Sequence, residues 1–271
     1  MTWVLLRGLM REKRHWGDFL AAFEAAFPDE KVITIDFPGN GELVKETSAS
    51  TIEAMLEAAR TQVRQRQPHG NLNLLAISLG AMVAVAWAQA YPQEIQKMVL
   101  INTSLSPHNP FYHRLRPQNY LRLLTTMLFA NVTQREQLVF ALTSNHKSVA
   151  IATKAINAWV GYANQYPISR SNIFRQLLAA MRYQSPDQIP HLAPQRSVLL
   201  LAGAGDHLVN PRCSTTLASK WRCQLFIHQE AGHDLPLDDG AWVITQIQTW
   251  LEEAENQPPR SVPRQDLSNA H

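Results

Sequence analysis

The sequence predicts an α/β fold: a mostly parallel sheet of about six strands flanked by helices, with a helical cap inserted before the fifth strand. Three observations predict it. Short, continuous apolar runs recur along the 271-residue chain, helical patterns alternate with most of them, and one long stretch carries helical patterns only. Continuous apolar character marks strands buried on both faces. Strand–helix alternation marks a parallel sheet covered on both sides.

The six runs are Trp3–Leu6, Val32–Ile35, Leu72–Ile77, Met98–Ile101, Val198–Ala202 and Gln224–Ile227. After the first, Trp16, Phe19, Leu20, Phe23 and Phe27 stand at helical spacing over His15–Phe27. Ser50-Thr51-Ile52-Glu53 reads as a capping box opening a helix to about Arg66. Leu79–Ala90 is small, apolar and helical, and stops before Pro92. Pro211–Trp221 and Trp242–Ala254 complete the helices of the core, the second with Val243, Ile247, Trp250 and Leu251 on one face.

The rhythm breaks from about Thr103 to Ala193. Helical patterns at Tyr120–Phe129, Gln134–Leu142, Val149–Tyr162 and Ser171–Met181 fill that stretch. An insertion of roughly 90 residues is too long for a crossover. It reads as a cap over one end of the sheet, of the kind that shapes a substrate pocket and excludes water. The expected division is a core of residues 1–102 and 194–255, a cap of 103–193 and a tail of 256–271. Pro258, Pro259 and Pro263 among polar residues predict disorder in the tail.

With 45% apolar and 17% charged residues, the composition is that of a globular chain. A formal net charge of +3 without a clustered basic face argues against nucleic acid as a partner. No apolar run is long enough to span a bilayer, and the first residues lack the features of a secretory signal. The expectation is a soluble cytoplasmic protein. Cys213 and Cys223 fit two free thiols in a reducing compartment. His113 and His146 lie outside any metal-ligand spacing, and no cofactor motif is present, so neither metal nor cofactor is expected. The sequence carries no signal for oligomeric state.

Chemistry is expected where strands end. The run Leu72–Ile77 leads into Ala76-Ile77-Ser78-Leu79-Gly80-Ala81 and then a helix, the layout of a nucleophile elbow. Small neighbours are needed because the serine sits on a sharp turn, and the helix behind it favours developing negative charge. The plain alternative is a serine that caps the helix. Asp206 follows the fifth run, in Gly203-Ala204-Gly205-Asp206, where it is placed to orient an imidazole. A turn aspartate is the alternative. His233 follows the sixth run on a loop, placed to relay protons as base and then acid. Arg7-Gly8-Leu9-Met10 follows the first run, so an oxyanion hole is expected from the backbone N–H groups of Leu9 and Leu79. Three candidate groups in the order Ser, Asp, His at three separate strand ends make the plain alternatives jointly improbable.

These residues resemble the α/β-hydrolase superfamily in its capped serine-hydrolase branch, over about residues 3–102 and 194–254. Asp36-Phe37-Pro38-Gly39-Asn40-Gly41 is similar to that family's D-x-P-G-x-G turn. Ala76 departs from the usual glycine, and Arg7 stands where relatives often carry histidine. The usual antiparallel hairpin before the first strand is missing, so a smaller sheet is expected. Some relatives place the acid after the fourth run; here Asn102-Thr103-Ser104 offers no carboxylate, which favours Asp206. The resemblance implies hydrolysis of a carboxylic ester or thioester through an acyl-enzyme. The substrate would be a small acyl compound, free or carrier-bound. One alternative is a C–C bond hydrolase of a ring-fission dienoate, with Arg7 or a cap arginine holding the carboxylate. Another is a non-catalytic ligand-binding relative. Phe111, Tyr112, Tyr120, Phe129, Phe140, Trp159 and Tyr162 read as cap core, and Arg114, Arg116 and Arg122 as a solvated basic face.

Overall fold

Each continuous apolar run forms a strand of one sheet. The computed structural model describes residues 1–189 and 197–256. Its strands are β1 (Thr2–Leu6), β2 (Lys31–Thr34), β3 (Leu72–Ile77), β4 (Ile95–Ile101), β5 (Val198–Gly203) and β6 (Gln224–His228). They lie in the order β2-β1-β3-β4-β5-β6 with every pair parallel. Successive side chains point to opposite faces. Val4, Leu6, Leu74, Ala76, Leu100 and Leu200 share one core with helices α1 (Asp18–Ala26) excluded and α2 (Ile52–Arg66) and α3 (Leu79–Ala90) included, through Met55, Leu56 and Trp87. Trp3, Leu5, Leu75, Ile77, Val99 and Leu201 face the other core, built with Phe19 and Phe23 of α1. Both faces are buried, which is why the runs are continuous rather than alternating.

Among the described residues, five α-helices lie between β4 and β5: α4 (Phe111–Arg114), α5 (Tyr120–Phe129), α6 (Val132–Thr143), α7 (Val149–Gln165) and α8 (Arg170–Arg182). Two more close the chain, α9 (Arg212–Trp221) and α10 (Leu235–Asn256). Val243, Ile247 and Trp250 of α10 complete the second core. The expected cap boundary at residue 193 lies outside the described residues, as does the expected tail beyond Asn256.

The local differences have local causes. The helix expected over His15–Phe27 is split at Gly17, whose φ of 53° ends a short 3-10 turn (Lys13–Trp16) before α1 begins. The cap of α2 is Thr51, whose hydroxyl accepts from the Ala54 amide; the box expected from Ser50 and Glu53 does not form. Inside α10, Asp239 leaves helical geometry and its carboxylate accepts from the Trp242 amide, so the helix expected from Trp242 is the second segment of a kinked one. The cap aromatics are not one core. Phe140 and Trp159 are buried, Tyr162 is half-buried, and Phe111, Tyr112, Tyr120 and Phe129 are exposed. The reason is that α4 and α5 lie on the outside and bury none of their residues.

The insertion is tied to the core by a buried polar network. Arg11 pairs with Glu136 of α6 at 2.7 Å, and its guanidinium stacks 4.4 Å over the Trp159 ring of α7. Arg11 also lies 3.0 Å from His15 Nε2. A guanidinium can only donate, so Nε2 is placed to accept, while Nδ1 lies within 3.1–3.2 Å of the Glu12 amide and carbonyl. Burial, then the charges of Arg11 and Arg7, hold the His15 pKa well below 6.5.

In the unfolded chain His15 regains its ordinary pKa and binds a proton first as pH falls. Its contribution therefore supports the fold above pH 6.5 and is lost progressively below it. His15→Gln removes this titration. Urea denaturation should show a lower stability at pH 7.5 for the variant, and a shallower loss between that pH and about pH 5.5 than in the wild type.

Candidate active site

The strand order reverses on the two sides of β1, between β2 and β3. Crevices at such switch points, beyond the carboxyl ends of the strands, are where open α/β sheets bind ligands. The candidate residues all arrive at this edge: Leu9 beyond β1, Ser78 beyond β3, Asp206 beyond β5 and His233 beyond β6.

Ser78 joins β3 to α3 with φ 53° and ψ −113°, a conformation few non-glycine residues adopt. Its amide still donates to the Ile101 carbonyl of β4, so the sheet holds the strained residue in place. The small neighbours have a spatial cause. A Cβ on Gly80 would lie 2.5 Å from the Leu6 carbonyl and 2.7 Å from that of Arg7. Only glycine lets the start of α3 press this closely on the end of β1.

His233 and Asp206 are both buried, and Asp206 Oδ2 lies 2.6 Å from His233 Nδ1. Asp206 Oδ1 accepts from the amides of Leu208 and Val209 at 2.7 and 2.8 Å. The carboxylate is an acceptor, so Nδ1 carries the proton and Nε2 keeps a free lone pair. Burial alone would lower the His233 pKa. The charge and hydrogen bond of Asp206, with Asp234 behind them, outweigh burial and the opposing Arg7, and the net displacement is upward from 6.5.

The loop after β1 is fixed by the insertion. Gln176, fully buried on α8, accepts from the Met10 amide at 3.0 Å and donates to Asn40 and Ser48. The Arg11 amide turns back to the Gly8 carbonyl. The Leu9 N–H of that turn has no partner among the described residues. Leu79 opens α3, so its N–H is one of the helix's orphan donors. A Cβ on Gly8 would lie 3.5 Å from Ser78 Cβ, which places this loop directly beside the serine.

Several contributors escape sequence reasoning. Arg7 forms a buried two-pronged pair with Asp234, at 2.6 and 3.1 Å, and lies 4.8 Å over the Trp16 ring. The position flagged as a departure thus clamps the histidine loop rather than facing outward. Asn102, at φ 47°, accepts from the Gly203 amide and donates to the carbonyls of Gly232 and His233. Asn145, near the start of the loop after α6, donates to the carbonyls of Gly205 and Glu230. Their signals were thin: Asp234 is next to His233 in sequence, and Asn102 registers only as a missing carboxylate.

No group of three His, Cys, Asp or Glu side chains among the described residues is placed to hold a metal. The thiols of Cys213 and Cys223 are both pushed up to about 12 by burial and are poor nucleophiles.

Residues 15–240 match the family described as the alpha/beta hydrolase fold, and the chain belongs to that family. An esterase from Rhodococcus sp. ECU1013 superposes with a TM-score of 0.73 at 17% identity, over 94% of this chain and 91% of that one. A 2-hydroxy-6-oxo-6-phenylhexa-2,4-dienoate hydrolase from Rhodococcus sp. strain RHA1 also gives 0.73, at 16% identity, over 93% and 90%. At such identities these two establish the shared fold. In sequence, 102 residues are 32% identical to the biotin biosynthesis bifunctional protein BioHC of Teredinibacter turnerae. That match takes in 37% of this chain and only 17% of the relative's length.

The Arg7–Asp234 pair predicts a specific stability pattern. Arg7→Met should cost about 3–5 kcal/mol, because it strands a buried carboxylate. Adding Asp234→Leu should recover most of that loss. Urea titrations of the single and double variants measure both.

Proposed function

We propose that the protein is a serine hydrolase that cleaves a carboxylic ester or thioester through an acyl-enzyme. The observation that carries this reading is the 2.6 Å contact of Asp206 with His233 Nδ1, at the sheet edge where Ser78 occupies its strained turn. It supports an imidazole whose Nε2 lone pair is left to act on Ser78. His233 takes the Ser78 proton as Oγ bonds to the acyl carbon. The carbonyl oxygen gains the charge and is held by the N–H groups of Leu9 and Leu79. When the tetrahedral intermediate collapses, His233 returns the proton to the departing alcohol or thiol. Water, deprotonated by the same imidazole, then releases the acid and restores Ser78.

The helices over residues 103–182 are proposed as the cap of this site, and Gln176 as the residue that positions its oxyanion loop. The dienoate alternative loses one of the cations it drew on, because Arg7 is held by Asp234. It gains no compensating observation, since the dienoate hydrolase likeness speaks for the fold.

Turnover of activated acyl esters and thioesters of graded length tests the proposal. Ser78→Ala should lower kcat by about 10⁶-fold. Full activity in that variant rules the serine mechanism out.

The base form of His233 is neutral and its pKa lies above 6.5, so kcat/KM should rise with pH through a midpoint above 6.5. Asp206→Asn removes the two largest interactions that raise that pKa, leaving burial opposed only by the weaker influence of Asp234. The midpoint of the residual activity should move to lower pH, with kcat reduced about 10⁴-fold. A pH–rate profile of both proteins is the measurement.

A further inference from the structure

The outer face of the insertion combines two properties that a water-facing surface does not usually share. The first is exposed apolar bulk. Phe111 is 72% exposed, Leu121 70%, Phe129 83% and Phe174 62%, and Leu124 and Leu128 extend the α5 stripe at i+3 and i+7 from Leu121. The second is one-sided charge. Residues 103–182 hold nine Lys and Arg and a single acid, Glu136, which is buried against Arg11 and Arg135. The rest of the chain has more acids than bases.

These side chains belong to one surface. Arg170, at the start of α8, donates to the Leu128 carbonyl near the end of α5. Arg114 of α4 donates to the Ala180 carbonyl near the end of α8. The α4–α5 segment therefore runs antiparallel along α8. Arg116, Arg122, Arg170 and Arg182 have no carboxylate partner within ion-pair distance among the described residues.

We propose that this α4–α5–α8 face docks on an anionic lipid surface. Large apolar side chains among unpaired arginines, with no exposed acid, match the chemistry of a bilayer interface carrying negative headgroups. An acidic protein partner would use the arginines but leave the aliphatic stripe unexplained. The face also adjoins the candidate site. Asn119 donates to the His207 carbonyl, the Arg116 amide to the Leu208 carbonyl and the Asn210 amide to the His113 carbonyl, so the α4–α5 segment is bonded to the loop that carries Asp206.

Flotation of the full chain with vesicles tests this, and it does not depend on the catalytic reading. Wild type should bind vesicles of phosphatidylglycerol and phosphatidylcholine in equal parts, bind pure phosphatidylcholine weakly, and release at high salt. Leu124→Gln/Leu128→Gln and, separately, Arg122→Glu should each weaken binding by about tenfold or more. Circular dichroism and unchanged turnover of a short soluble ester control for folding, since none of the three residues is placed in the catalytic machinery. No binding to the anionic vesicles overturns the proposal. Undiminished binding by the leucine variant also overturns it and leaves a purely electrostatic site for an acidic partner. A wild-type dimer that the leucine variant dissolves overturns it in favour of a second copy on this face.

Discussion

The side-chain amide of Asn102 is the constraint from which the site is built. Two loops, one after β5 and one after β6, must bring Asp206 and His233 within a hydrogen bond. Asn102 stands between them at the end of β4, accepting from Gly203 and donating to the carbonyls of Gly232 and His233. Its φ of 47° lies in the left-handed region, which asparagine tolerates better than most residues. Gly203 completes the arrangement: a Cβ there would fall 2.3 Å from the Ala231 carbonyl, so the histidine loop can close against β5 only over a glycine. The close Asp206–His233 contact, the ring tautomer it sets and the raised imidazole pKa all follow from that packing.

A second layer joins the histidine loop to the remainder of the protein. Arg7 reaches it from β1 through Asp234, and the end of α6 reaches it through the Thr143 carbonyl, which accepts from the Asp234 amide at 2.7 Å. The insertion is thus more than a cover. It supplies Asn145 to the acid loop, Asp238 is bonded to its Ser144 and Asn145, and Gln176 sets the loop of Leu9. Changes within the insertion are transmitted to the candidate site through these hydrogen bonds, without any need to touch a substrate.

The sheet was legible in the sequence because its central strands are buried on both sides, which leaves a continuous apolar run that periodicity detects, and the shorter apolar runs of β2 and β6 extend it at the edges. The strand-end positions of Ser78, Asp206 and His233 were legible because each follows such a run, in one order. What could not be read depends on neighbours far away in sequence. Arg7 and Asp234 are 227 positions apart, and nothing in either local pattern announces the pair. Asn102 could be read as lacking a charge but not as a clamp, because its partners lie on other loops. The α5 stripe shows the limit most directly. Helical spacing of Leu121, Leu124 and Leu128 reveals an apolar face, while whether protein covers that face is decided by packing that the stripe does not encode. At Gly17 and Thr51, adjacent residues compete for the same local function, and tertiary contact decides between them.

The central claim is that Ser78 lies where an acyl oxygen would meet the amides of Leu9 and Leu79. A crystal structure of the chain inactivated by an alkyl fluorophosphonate tests it most directly. The account predicts phosphorus bonded to Ser78 Oγ, with the phosphoryl oxygen about 2.7–3.1 Å from both the Leu9 and the Leu79 nitrogens. An adduct on another residue, or a phosphoryl oxygen turned away from those amides, would contradict it.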